Sequence, residues 1–137
     1  MSSETFSKEE RAAMRERAKE AKQNASKEEA LAQVLEKISQ MDPADRVLGE
    51  KIHELVLKHA PELMPKTWYG MQAYAKDGKT VVFFQDAGKF KARYATLGFQ
   101  DAANLDDGNM WATSFALIKI DSATEKQIVA LIKRAAS

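Results

Sequence analysis

Apolar residues recur with helical spacing through two stretches of the first half of the chain. Five of them fall on one side of a helix between residues 27 and 41, and four more do so between residues 44 and 59. The first set is Leu31, Val34, Leu35, Ile38 and Met41, and the second is Leu48, Ile52, Leu55 and Val56. Both patterns predict helices that pack firmly, because large apolar side chains supply most of the buried area.

The apolar stripe before these helices is thin. A helix over residues 8–24 would carry only Met14, Ala18, Ala21 and Ala25 as apolar positions among many lysines, arginines and glutamates. Alanine buries little area, so we expect this helix to dock weakly on its own domain and to contact a partner or a second copy.

Three short motifs mark predicted helix starts. SKEE occurs at residues 7–10 and again at 26–29, and SATE occurs at 122–125. In each motif the serine hydroxyl can accept from the N–H of the glutamate three residues later, whose side chain reaches back to the serine N–H. The motifs therefore predict separate first and second helices, and a final helix with Ile128, Leu131, Ile132 and Ala135 on one side.

From Gly70 onward the pattern changes to short strands between glycine-containing turns. Asp77-Gly78 predicts a two-residue hairpin between residues 67–75 and 79–85. A further turn at residues 86–88 leads to a strand over 89–97, and residues 111–120 form a fourth strand after a polar loop. The order of three helices, four strands and a helix predicts an α+β domain with an antiparallel meander of about four strands.

Pairing across the Asp77-Gly78 turn predicts that both faces of the hairpin are apolar. One face, with Met71, Ala73, Val82 and Phe84, has the composition of a core. The other face would gather aromatic and amide side chains around Gly70: Trp68, Gln72, Tyr74, Phe83 and Gln85. Such a mixture is typical of a small-molecule groove, and also of a second core layer under a polar rim.

Composition limits the class of protein. The chain has 137 residues, no cysteine and a formal net charge of +1. This size supports a single core without disulfides, and the charge provides no field that would recruit nucleic acid or an anionic membrane. No signal-peptide core is present and no apolar run approaches the roughly 18 residues of a membrane span, so we expect a cytoplasmic protein.

Candidate chemistry is sparse. His53 and His59 are six residues apart on one predicted helix, too far around it to hold one ion together. Strand alternation would place the bases and aromatics of KFKARY, residues 89–94, on opposite faces, which argues against RNA binding but lets Lys91 or Arg93 attract a small anion beside the groove. No catalytic triad, paired carboxylates or phosphate loop is present, so we expect no enzyme activity.

The loop over residues 101–109 offers hard oxygen donors at Asp101, Asp106 and Asp107. These could form a weak metal site, although aspartate and asparagine also serve as turn and cap residues in loops. The residues themselves predict no cofactor.

The stretch WYGMQAYAKDGKTVVFF, preceded by HAPEL and followed by KFKARYATLGF, resembles the YdhG-like bacterial family, a domain of unknown function. The resemblance covers about residues 44–136, and FSKEERAAM resembles the helical extension of longer members. It implies a small α+β domain with a curved antiparallel sheet. Some members are labelled iron chaperones by likeness to frataxin, which implies iron as the metal for the aspartate loop. Many members have proline where this chain has Gln72.

These observations predict a helical extension over residues 1–42 and an α+β domain over residues 43–137. The leading hypothesis is a non-enzymatic binding domain whose groove takes an unknown small molecule. An iron-binding protein of the frataxin-like type and a protein-interaction module that uses the first helix are the alternatives.

Overall fold

The computed structural model describes residues 7–137, apart from the side chains at positions 16, 19, 20 and 22–25. Residues 1–6 of the predicted extension lie outside this range. Within it, three helices and five strands follow in the order α1 (Lys8–Ser39), α2 (Pro43–His59), β1 (Met64–Trp68), β2 (Met71–Lys76), β3 (Lys79–Gln85), β4 (Ala95–Phe99), β5 (Ser114–Leu117) and α3 (Ser122–Ala136). The predicted α+β class is confirmed.

One continuous helix, α1, replaces the two predicted ones. It begins as expected, since Ser7 is the N-cap and its hydroxyl accepts from the Glu10 N–H at 3.1 Å. The second SKEE motif lies inside the helix because residues 8–39 contain no proline or glycine and are rich in alanine, lysine and glutamate. None of the helices within residues 7–137 is both long and apolar enough to cross a bilayer.

The two ends of α1 have different surroundings. From residue 8 to residue 29, every side chain that the structure describes is exposed, including Met14, Ala18 and Ala21. The side chain of Ala25, the last member of the predicted stripe, lies outside the described ones. Val34 and Ile38 are buried in the core. Only the C-terminal part of α1 therefore contributes to the packing of the domain.

The two later helices begin close to where the sequence predicts. Asp42 precedes α2, and Pro43 occupies its first turn, where the missing N–H is not needed. In α3 the N-cap is Asp121, whose carboxylate accepts from the Thr124 N–H at 2.8 Å. Ser122 is the first helical residue, so its predicted role as the cap is wrong.

The strands form a single antiparallel sheet in the order β1-β2-β3-β4-β5. There are five strands because the predicted first strand contains a turn at Tyr69 and Gly70, whose φ angles are 48° and 75°. Two consecutive positive φ angles are typical of a two-residue hairpin. Asp77 and Gly78 form the second hairpin, as predicted, with φ angles of 51° and 79°.

Residues 89–94 form a loop, so the strand predicted over residues 89–97 is wrong in its first part. The N–H groups of Lys91 and Ala92 bond back to the carbonyls of Gly88 and Ala87, and Lys91 has a φ of 51°. The strand β4 begins only at Ala95. Side chains in residues 89–94 consequently do not alternate between two faces.

A β-bulge lies in the hairpin between β2 and β3. Tyr74 pairs with Val82 and Ala75 with Thr80, so Val81 is the extra residue. The predicted pairs, Tyr74 with Val81 and Gln72 with Phe83, are therefore wrong by one position. A shift of one residue moves each β3 side chain to the other face of the sheet.

All three helices pack against one face of this sheet. The core contains apolar residues from each helix together with side chains that the strand register aligns on one face: Val34, Ile38, Ile52, Val56, Ile128, Ile132, Tyr74, Phe84 and Leu97. Met71, Ala73 and Ala75 are also buried but lie outside that cluster. We call the helix-covered side the core face and the opposite side the open face.

Gly49 is the point where α2 comes closest to the sheet, and we expect Gly49→Ala to destabilise the domain. A Cβ there would lie 2.8 Å from Gln72 Oε1 and 3.1 Å from Met41 Sδ. Overpacking of this kind costs about 1–3 kcal/mol, which outweighs the roughly 1 kcal/mol by which alanine favours a helix over glycine. Urea unfolding measures the difference.

The control for this experiment is Glu50→Ala on the exposed side of the same helix, which should change the unfolding free energy by no more than about 0.5 kcal/mol. A Gly49→Ala protein as stable as the parent would contradict the close packing of Gln72 against α2.

Candidate ligand-binding site

The structure divides the predicted groove between the two faces of the sheet. Gln72 and Tyr74 lie on the core face and are fully buried. Trp68, Phe83 and Gln85 lie on the open face and are half-buried. The bulge moves Phe83 and Gln85 to the face opposite Tyr74, and the Tyr69-Gly70 turn does the same for Trp68. A single groove formed by all five side chains is therefore excluded.

Gln72 and Tyr74 belong to a polar network under α2. The Gln72 amide donates to the Gly49 carbonyl and to the Tyr74 hydroxyl, both at 3.0 Å. The Tyr74 hydroxyl in turn lies at hydrogen-bond distance, 2.7 Å, from His53 Nδ1. Burial raises the pKa of the Tyr74 hydroxyl and lowers the pKa of His53. These groups link α2 to the sheet, and Gln72 and Tyr74 are closed to a ligand because they are fully buried.

The open face carries a small aromatic cluster. The rings of Trp68 and Phe83 are 5.3 Å apart at their centroids, and Tyr69 meets Trp68 edge-on at 4.9 Å. Phe83 lies directly over Gly98, where any Cβ would collide with its ring. Ala73 lies on the same face of β2, the strand between β1 and β3, and is fully buried. Large rings thus lie over small residues on a face that none of the helices within residues 7–137 covers.

Gly70 and the two predicted cationic residues do not meet as expected. Gly70 is in the β1–β2 turn, and its carbonyl accepts from Lys89 Nζ at 3.1 Å. Lys91 is exposed in the loop over residues 89–94, and Arg93 lies there with its guanidinium 5.1 Å from the ring centroid of Tyr94. The lysine that reaches the turn is therefore Lys89.

A cavity of about 330 Å³ borders the aromatic cluster on the open face. Its walls combine one aromatic ring with polar and charged side chains: Lys66, Trp68, Lys79, Thr80, Gln100 and Asp101. We call it the Trp68 cavity. Pockets that combine an apolar wall with a few polar groups are typical of small-molecule sites, and this volume lies at the lower end of their range of about 300–1,000 Å³.

The bulge also positions the far wall of this cavity. The carbonyl of Val81, the extra residue, accepts from the Gln100 N–H at 3.0 Å, which holds the segment after β4 against β3. Gln100 and Asp101 consequently face Lys66 and Trp68 across the end of the sheet. The bulge at Val81 thus brings the polar groups of this segment next to the aromatic wall of the Trp68 cavity.

Thr80 is the least expected member of the cavity wall. Its side chain is 8% exposed, and its hydroxyl has no hydrogen-bond partner among residues 7–137. An unpaired buried hydroxyl costs about 1–3 kcal/mol. Sequence patterns missed both Thr80 and Lys66. A strand beginning at Met64 would have revealed Lys66, because it alternates with Trp68 on β1.

The three loop aspartates do not form a metal site. Asp101 and Asp106 border a second cavity of about 520 Å³ beside Trp111, whereas Asp107 does not line it. In the part of the chain that the structure describes, no group of three or more histidine, cysteine, aspartate or glutamate side chains could hold an ion. The Asp106 carbonyl accepts from Arg134 at 2.9 Å, so this loop is tied to α3 through its backbone.

A larger cavity, between α2 and the segment before α3, has a volume of about 530 Å³. Its apolar walls include Val47, Leu48 and Ile118. Lys51 in its wall pairs with Glu54 at 3.6 Å, whereas Lys119, also in its wall, forms no salt bridge among the described residues. The wall contains no aromatic side chain, so this cavity offers no ring face on which a ligand could stack.

Comparison of the chain with protein families, with curated proteins and with solved structures produced no match. The resemblance to the YdhG-like family stays a prediction.

His53 gives the network under α2 a testable dependence on pH. Because burial lowers its pKa in the folded protein, the unfolded chain binds a proton first as the pH falls. The stabilising effect is complete above the unfolded value of about 6.5 and is lost as the pH falls from there through the folded pKa. We expect the unfolding free energy to decrease as the pH is lowered from 7 to 5.

Urea unfolding across this pH range measures the effect, and NMR titration of the His53 ring gives its pKa directly. His53→Gln should flatten the slope, with His59→Gln as the control for loss of a histidine elsewhere on α2. A His53 pKa at or above about 6.5 would contradict the buried network.

Proposed function

We propose that this chain is a non-enzymatic cytoplasmic domain that binds a small molecule in the Trp68 cavity. The observation that carries the proposal is the aromatic pair of Trp68 and Phe83 on a sheet face that none of the described helices covers, beside a cavity whose wall also holds two lysines and a glutamine. Exposed aromatic area next to convergent polar groups is characteristic of ligand sites. The absence of cysteine favours the reducing cytoplasm.

The chemistry of the described side chains supports a binding role over catalysis. His53 and Tyr74 form a histidine–hydroxyl pair, but Tyr74 is fully buried and cannot reach a substrate. In the Trp68 cavity, the lysines, the threonine and the aspartate come without a histidine to activate a nucleophile. Binding needs only what is present: a ring face, hydrogen-bond groups and charge.

An NMR titration of labelled protein with a pool of small metabolites tests the proposal. Ligand binding should shift the Trp68 indole signal and the amides of Thr80, Gly98 and Asp101. Trp68→Ala should weaken binding at least about tenfold, because aromatic stacking contributes roughly 1–3 kcal/mol.

Trp111→Ala is the matched control, since Trp111 is the other tryptophan and lies outside the Trp68 cavity. Metabolites that bind equally to the parent and to Trp68→Ala would contradict the assignment of the site, as would shifts confined to other surfaces.

A second candidate is a protein-interaction module in which the N-terminal part of α1 docks a second copy of the chain. The exposure of Met14, Ala18 and Ala21 along one side of a continuous helix favours it. These side chains are not part of the described core, so their apolar area is available for contact with a second copy of the chain.

The variant Met14→Glu/Ala21→Glu tests this second candidate. If the stripe is a self-contact, the variant should sediment as a monomer at concentrations where the parent self-associates, with unchanged unfolding free energy. Ala12→Glu, on the opposite side of the helix, is the control. A large loss of stability without a change in oligomeric state would show instead that this part of α1 belongs to the core.

A further inference from the structure

The charges around the Trp68 cavity indicate which ligands it selects, if the proposed function holds. Lys66 and Lys79 both line the cavity, and neither forms a salt bridge with another residue in the range that the structure describes. Asp101 is the one carboxylate in the cavity wall. Two lysines without a paired carboxylate favour an anionic group on the ligand.

The aromatic wall indicates the shape of the rest of the ligand. Phe83 lies over Gly98, with its ring centroid 5.3 Å from that of Trp68, and Tyr69 meets Trp68 edge-on with an interplanar angle of 78°. The Trp68 ring is thus braced by neighbours on the sheet while it lines the cavity. A braced ring face beside a cavity suits stacking by a planar ring, because little side-chain freedom is lost when the ligand binds.

The polar groups of the same wall indicate a hydrogen-bonding edge on the ligand. Gln100 supplies an amide, which can both donate and accept. Thr80 also lines the cavity, but its hydroxyl oxygen has almost no accessible surface, so it is sealed from the ligand.

We infer that the Trp68 cavity takes a planar aromatic ring that carries an anionic group, the chemistry of a nucleoside monophosphate. The ring would stack on Trp68, the anion would lie between Lys66 and Lys79, and the Gln100 amide would bond the polar edge between them. The cavity volume of about 330 Å³ suits one such molecule. A net charge of +1 makes a nucleic-acid strand a poor match.

Three probes separate the parts of this inference: adenosine 5′-monophosphate, adenosine and ribose 5-phosphate. The NMR titration described above follows each probe at the Trp68 cavity. The monophosphate should bind most tightly. Adenosine, which lacks the anion, should bind about three- to tenfold more weakly, and ribose 5-phosphate, which lacks the ring, about tenfold or more. Added salt should weaken the binding of the monophosphate and leave the affinity for adenosine unchanged.

Variants assign these effects to residues. Lys66→Gln/Lys79→Gln should lower the affinity for the monophosphate to that for adenosine without affecting adenosine itself. Lys126→Gln/Lys133→Gln, on the exposed side of α3, makes the same charge change away from the cavity and should leave both unaltered. Trp68→Ala should weaken the binding of both the monophosphate and adenosine, because each carries a ring. The lysines are surface residues, so the inference stays testable even if Trp68→Ala does not fold.

Each contrary result has a definite meaning. If adenosine binds as tightly as the monophosphate, the inferred anionic group of the ligand is wrong. If ribose 5-phosphate binds as tightly as the monophosphate, the inferred aromatic ring of the ligand is wrong. Tighter binding of a hexauridine strand would overturn the single small ligand in favour of a nucleic acid. If the probes fail while other metabolites bind the cavity, the ligand class is wrong and the proposed function stands. If nothing shifts the cavity signals, both fail.

Discussion

The β-bulge at Val81 is the constraint on which both faces of the sheet depend. It places Phe84 with Tyr74 on the core face and Phe83 beside Trp68 on the open face. Without the extra residue, the two phenylalanines would exchange faces. The same residue accepts the Gln100 N–H and thereby holds the segment that closes the Trp68 cavity. One unpaired position in the ladder therefore sets the core, the aromatic cluster and the cavity.

On the core face, polar contacts as well as apolar ones fix the pairing of β2 with β3. Gln72 bonds both Gly49 and Tyr74, and Tyr74 reaches His53, so one hydrogen-bonded chain joins the sheet to α2. A one-residue slip would leave these groups buried without partners, which costs more than the loss of apolar contact alone.

Local signals account for the parts of the fold that the sequence predicts well. The apolar spacing of α2, the Asp77-Gly78 turn and the Ser7 cap each depend on a few adjacent residues, and all three are confirmed. The second SKEE motif shows the limit of such signals, because a capping box marks a helix start only where something ends the preceding helix.

The candidate site was harder to predict because it depends on contacts between distant segments. The Tyr69-Gly70 turn is hidden among apolar residues, so β1 was merged with β2 and Lys66 was overlooked. The bulge has no local signature, since Thr80, Val81 and Val82 all favour a strand. Trp68 and Phe83 share a face as predicted because two errors cancel. Relative to β2, the Tyr69-Gly70 turn moves Trp68 to the open face and the bulge moves Phe83 there too, while Gln72 and Tyr74 stay on the core face.

The open face explains why aromatic residues are concentrated in this hairpin. A sheet with helices on one side must either expose its other side or cover it with its own side chains. Here Phe83 lies over Gly98, and the Trp68–Phe83 pair lies over a face whose central residue, Ala73, is fully buried. This aromatic cover ends at the Trp68 cavity, where the ring is followed by Lys66 and Lys79. Folding alone accounts for rings over small residues, but it does not require two lysines beside an aromatic wall that form no salt bridge among the described residues. Those lysines are the physical reason for the ligand proposed there.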